Sequence, residues 1–173
     1  MKNFFIMYKS QIISYLVAVS LGVLNHFLYE LLNKPIFLVP FIPTDESVFE
    51  HLKLLFYPIL VISIIEGVIK NYTLPSFISS RIISVIISSI FLVLFYYLVT
   101  LFNNGKGIDV LNIISYFVFM LTTYIMSDSL YNEFETNKNF IKIGLVLLFI
   151  SVIFLTFFSW YKPNLDLFIV KYT

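Results

Sequence analysis

Long apolar runs separated by short polar stretches dominate the chain, and five of them are long enough to be helices that cross a bilayer, whose hydrocarbon core takes roughly 20 mostly apolar residues. The first helix is expected from about Ile12 to Leu32, preceded by Lys2 and Lys9. Ala18-Val19-Ser20 resembles a signal-peptide cleavage site, but a retained helix makes sense of the polar residues at its far end. The second helix is expected over about 45–70: Pro43 precedes it, Thr44 or Asp45 caps it, and Glu46 lies in its positive first turn. Its apolar part runs from Leu54 to Val68, with Pro58 inside as an expected kink. Pro75 and Ser76 open a third helix, about 76–102, and the glycines of Asn103-Asn104-Gly105-Lys106-Gly107 mark a turn. Asp109 caps a fourth, about 109–127, and a polar stretch from Ser127 to Asn139 reads as a loop before the fifth, about 140–160. The fold class is therefore all-α, a polytopic membrane helix bundle forming a single domain over 1–173.

Composition agrees with that pattern. Of 173 residues, 60% are hydrophobic and 12% charged, half the share of about 25% in a soluble domain, and the mean hydropathy is +0.94. The implied partner is the lipid bilayer. A net charge of +1 gives no sign of nucleic acid, and the absence of cysteine excludes disulfides, thiolate metal sites and cysteine nucleophiles. Arg81 is the sole arginine among 11 basic residues, and the wealth of Ile, Phe, Asn and Tyr suggests an AT-rich bacterial genome. With the N-terminus inside, inner segments hold Lys2, Lys9, Lys70, Arg81, Lys138 and Lys142; outer segments hold Lys34, Lys53, Lys106, Lys162 and Lys171. Six against five slightly favours a cytoplasmic N-terminus in the cell membrane.

Helix parity sorts the remaining polar residues into two layers. Asn25, His26 and Glu30 end the first helix at the membrane face where Glu46, Glu50, His51 and Lys53 begin the second, with Tyr57 a turn further in. Asp109, Asn112 and Tyr116 of the fourth helix belong to the same face. His26 and Glu30 share one side of their helix with Gly22 and Ala18, a small-residue surface that lets another helix approach. At the opposite face, Glu66 and Arg81 each sit about a turn inside a helix end, where a structural ion pair is expected, because an unpaired charge in lipid is costly.

Three readings of the first layer are open. In a purely structural one, Asp45 and Glu46 favour the helix dipole and Glu50 pairs with Lys53. In the second, His26, Glu30, Glu46, Glu50 and His51 form a metal site, since imidazoles and carboxylates from facing helices suit Zn2+ or another divalent first-row ion. Glu50 and His51 are then the candidate catalytic pair of a membrane-embedded metal-dependent enzyme, with Asn25, Lys53, Tyr57, Asn112 and Tyr116 as further polar site residues. In the third, the layer holds a proton or cationic cargo in a small transport or ligand-binding subunit. So short a chain would do that as a homo-oligomer or with partner membrane subunits. Serine chemistry has little support: Ser47 lacks a Gly-x-Ser-x-Gly elbow, and helix packing explains Ser84 and Ser88.

Asp45-Glu46-Ser47-Val48-Phe49-Glu50-His51-Leu52-Lys53 resembles the signature of an uncharacterised family of small bacterial integral membrane proteins, roughly Asn-Glu-Ser-x-Trp-Glu-His-x-Lys before an apolar helix. His26-Phe27-Leu28-Tyr29-Glu30 resembles it too. Asp45 stands for the usual Asn and Phe49 for the usual Trp, while Glu46, Glu50, His51 and Lys53 match. The resemblance implies a membrane fold with this cluster at its centre and implies no reaction.

Overall fold

The computed structural model describes residues 2–169, with side chains from Gln11 onward; Lys171 and the side chains of Lys2 and Lys9, counted above for orientation, lie outside them. Five α-helices follow in sequence: α1 (Lys2–Leu31), α2 (Val48–Ile69), α3 (Leu74–Phe102), α4 (Asp109–Phe134) and α5 (Lys138–Trp160). Short 3-10 turns at Ile36–Leu38 and Asp166–Phe168 complete the described elements. Each helix contains a stretch long and apolar enough to span a bilayer. The protein is an all-helical, multi-pass membrane protein, and helices satisfy most backbone N–H and C=O groups within their own span.

α2 is the most enclosed helix. It lies between α1 and α3; α3 also carries α4 and α5, and α1 touches α4 more sparingly. Phe49, Leu55 and Ile59 of α2 meet Ile82 and Val85 of α3 and Met120 of α4 in a fully buried core. The outward faces remain apolar, with Phe91, Leu94 and Leu98 of α3 and Phe149 and Ile153 of α5 all exposed. So much exposed apolar surface suits lipid and not water.

Small residues set the closest crossings. A Cβ on Gly144 would fall 2.6 Å from Ser79 Cα, so α5 crosses α3 nearly backbone to backbone. A Cβ on Gly22 would collide with the Tyr116 hydroxyl and lie 2.9 Å from the Leu54 carbonyl. That carbonyl is the one Pro58 leaves without its helical donor, since proline has no N–H to offer the residue four places earlier. α1 therefore presses its glycine against the opened side of α2.

Three helix ends differ by more than two residues from the pattern read in the sequence, the first being that of α1, which begins at Lys2 and not at about Ile12, so that Lys2 and Lys9 lie within the helix and do not precede it. α2 begins at Val48, not at Thr44 or Asp45, and its N-cap is Ser47, whose Oγ accepts the Glu50 N–H at 3.4 Å. Residues just before it are held off the helix. Asp45 Oδ1 accepts the Ser47 N–H at 2.9 Å, and the Thr44 N–H donates to Glu50 Oε2 at 2.8 Å. α4 runs on to Phe134, through half of the stretch read as a loop. One side of that stretch faces protein: Ser127 accepts from Arg81 Nη1 and donates to the Tyr124 carbonyl at 2.9 Å, and Tyr131 is buried against Phe77, while Ser129, Asn132 and Glu133 are exposed.

The layer at that face is built around Arg81. Its Nη2 lies 3.1 Å from Glu66 Oε2 and 3.5 Å from Asp128 Oδ1, while Lys70 holds the other Glu66 oxygen. The guanidinium also stacks 4.1 Å from the Tyr124 ring centroid and 4.9 Å from that of Phe77. Paired and stacked in this way, a fully buried cation is tolerated at membrane depth.

Candidate metal centre

Three elements bring three donors together at the other face. His26 comes from the last two turns of α1, Glu46 from the bend before α2, and His51 from the first turn of α2. Because Ser47 and not Asp45 caps the helix, Glu46 lies outside it and can turn toward α1. His51 Nε2 is 3.3 Å from Glu46 Oε2, and His26 Nε2 is 3.8 Å from Glu46 Oε1. One donor atom from each residue lies within 4.8 Å of the others. Donors about 2.1 Å from a tetrahedral zinc stand roughly 3.4 Å apart, so small side-chain rotations complete the set.

The protonation of His51 follows from its surroundings. Its Nδ1 is 2.8 Å from the Ser47 carbonyl, which can only accept, so Nδ1 carries a hydrogen. Nε2 is left facing a carboxylate. A bare lone pair there would meet another acceptor, and two states relieve the conflict: a second ring proton, or a cation between Nε2 and Glu46. Imidazoles that bind metal through one nitrogen are commonly oriented by such a bond at the other. Contact with His51 outweighs partial burial and holds the Glu46 carboxyl below the ordinary carboxylate range, so it is ionised at neutral pH.

Other residues expected in this site go elsewhere. Glu30 forms an exposed pair with Lys34 at 3.0 Å. Glu50, expected as a ligand and catalytic group, is fully buried with Lys53, whose Nζ lies 2.7 Å from Glu50 Oε2. Lys53 also donates to the Val39 and Ile42 carbonyls at 2.7 and 3.2 Å. Lys162, beyond α5, binds Asp45, reaches Thr44 Oγ1 at 3.1 Å and stands 3.4 Å from Glu50 Oε1. Glu50 and Lys53 thus clamp the α1–α2 connection and the tail, because a buried carboxylate is stable only where cations and N–H groups surround it. Tyr57 is buried against Phe41 and Phe56. Asn25 is half-buried and does not line the cavity described next.

That cavity, about 400 Å3, extends inward from the three donors. Asn112 and Tyr96 line it near the face, and Leu54, Leu92 and Tyr116 a turn deeper. Tyr96 and Lys162 were missed as site residues. Tyr96 lies in the last two turns of α3 and Lys162 just beyond α5, both on the side that parity assigns to this face, which was the available signal.

A model described as "Family of unknown function (DUF6512)" matches residues 1–173. No curated protein and no solved structure matches the chain.

Proposed function

The chain belongs to that family of unknown function, and we propose that it holds one divalent first-row cation, Zn2+ by preference, between His26, Glu46 and His51, as a membrane-embedded metal-dependent enzyme. Two imidazoles and a carboxylate are a donor set that leaves a coordination position open for water or substrate. A bound ion would supply a Lewis acid or an activated water there. The observation that carries the reading is His51: its Nδ1 donates to the Ser47 carbonyl while Nε2 faces the ionised Glu46, a contact that a cation between them relieves without a second ring proton. Glu46 would neutralise part of that charge, and the two rings would hold the ion against the cavity.

Metal analysis of detergent-purified protein, with calorimetric zinc titration, tests this. Near-stoichiometric metal is expected, with affinity falling at least tenfold in His26→Ala, Glu46→Gln and His51→Ala. Absence of metal and of zinc binding, with Glu46→Gln altering only stability, would reduce the site to an imidazolium–carboxylate pair. Proton or amine flux without metal would instead favour the transport reading, in which the same acidic layer holds the cargo.

A further inference from the structure

We infer, on the basis of the metal reading above, that the cavity behind His26, Glu46 and His51 takes the hydrocarbon chain of a bilayer amphiphile whose anionic oxygen head, a phosphate or carboxylate, meets the cation. The first support is the division of its wall. Polar groups lie at the membrane face, where a head would sit, and Leu54, Leu92 and the ring of Tyr116 lie at the depth of the chain. A site of about 400 Å3 falls in the range of small-ligand pockets, most of which are apolar with a few placed polar groups.

The second support is the way in. Hydrogen bonds between α1 and α4 come from the deeper part of α1: Tyr124 Oη donates to the Ser14 carbonyl at 3.2 Å, Tyr15 Oη to Phe117 and Tyr116 Oη to Val19, both at 3.4 Å. Nearer the face Gly22 still meets the Tyr116 hydroxyl, and past that contact the cavity lies between Val23, His26 and Phe27 of α1 and Asn112 and Ile113 of α4. Its rim carries Val23, Phe27 and Ile113, which are 41%, 62% and 59% exposed. An opening edged by apolar side chains at a membrane-spanning level admits lipid from the side.

The third support is charge. A divalent ion, one carboxylate and two neutral rings leave a net positive centre, while the nearby Glu30 and Asp45 are already paired with Lys34 and Lys162. Such a centre favours an anionic head, and Asn112 and Tyr96, which line the cavity near the face, are side chains with donors for its oxygens.

The test measures binding of radiolabelled lysophosphatidate to the full-length, Zn2+-loaded protein in phosphatidylcholine nanodiscs. Saturation near one per chain is expected, weakened at least tenfold by chelating the zinc. Val23→Trp and Leu92→Trp, which fill the cavity from α1 and α3, should weaken it similarly while leaving calorimetric zinc affinity within about twofold. Inorganic phosphate and hexadecyltrimethylammonium should not compete. Intact zinc binding with only background lysophosphatidate binding overturns the inference and leaves the metal reading standing. Lysophosphatidate binding that survives chelation overturns the placement of the head on the cation. Equal competition by inorganic phosphate overturns the role of the chain.

Discussion

Glu46 and Glu50, four residues apart, keep separate partners: Glu46 faces the imidazoles of His26 and His51, whereas Glu50 is enclosed by Lys53, Lys162 and the Thr44 N–H. The division sets a different expectation for each. Glu50→Gln or Lys53→Met alone strands a buried charge and is expected to cost about 3–5 kcal/mol. The double variant should cost less than either, because nothing charged is left unpaired between those two. A thermal-stability cycle in detergent reads this directly. Additive losses would mean that the pair contributes through packing alone.

Arg81 offers a contrasting case, since its value lies in shape as well as charge. A single planar group reaches Glu66, Asp128 and Ser127 while stacking on two aromatic rings. Lysine keeps the charge but not the fork or the flat face. Arg81→Lys is therefore expected to lose roughly 1–3 kcal/mol, the scale of one or two charged hydrogen bonds. An unchanged melting temperature would show that charge alone suffices.

The fates of these acids show what a sequence reading can reach. The spans were legible because each run is both long and apolar, and helix parity placed His26, Glu46 and His51 at one face. Parity could not say which carboxylate turns inward. That depended on the cap: with Ser47 capping α2, Glu46 lies outside the helix and Glu50 in its first turn, so two acids expected together at the helix start turn to different partners. Asp45 meanwhile accepts the Ser47 N–H and binds Lys162, more than a hundred residues away, a contact that no local pattern announces. Likewise the stretch after Ser127 was read as a loop by its polarity. Its serine and aspartate serve Arg81, and the need to place them there keeps the helix running.

Asp45 and Lys162 give a pH expectation. Burial alone would raise the Asp45 carboxyl, but hydrogen bonds from Lys162 and Ser47 outweigh it and hold the group below its ordinary range. The folded state therefore binds this proton less tightly than the unfolded one. Its contribution to stability is complete above the ordinary carboxylate value near about 3.9 and is lost as pH falls through the lowered folded value. Asp45→Asn should destabilise the neutral protein by about 0.2–1 kcal/mol, as is usual for a partly exposed pair, and Lys162→Met by more, because it also leaves the buried Glu50 with one cation fewer. The gap from wild type should close in strongly acidic buffer. Thermal melts from pH 7 to pH 3 check this, and a gap that widens on acidification would contradict it.

Gly22 and Pro58 should be energetically coupled although they lie on different helices. Pro58 removes the donor that would have met the Leu54 carbonyl, and Gly22 brings the α1 backbone against that same oxygen. A Cα–H contact to a carbonyl is weak, worth about 1 kcal/mol or less, but in lipid there is no water to replace it. Gly22→Ala pushes a methyl toward both the Leu54 oxygen and the Tyr116 hydroxyl, and should lower stability by separating α1 from α2. Pro58→Ala restores the N–H, drawing the Leu54 carbonyl back into the helix and away from α1. The methyl should then be better tolerated, so Gly22→Ala is expected to cost less in the Pro58→Ala background than in wild type. Equal costs in both backgrounds, measured by reversible unfolding in mixed micelles, would show that the Tyr116 clash alone dictates glycine at position 22.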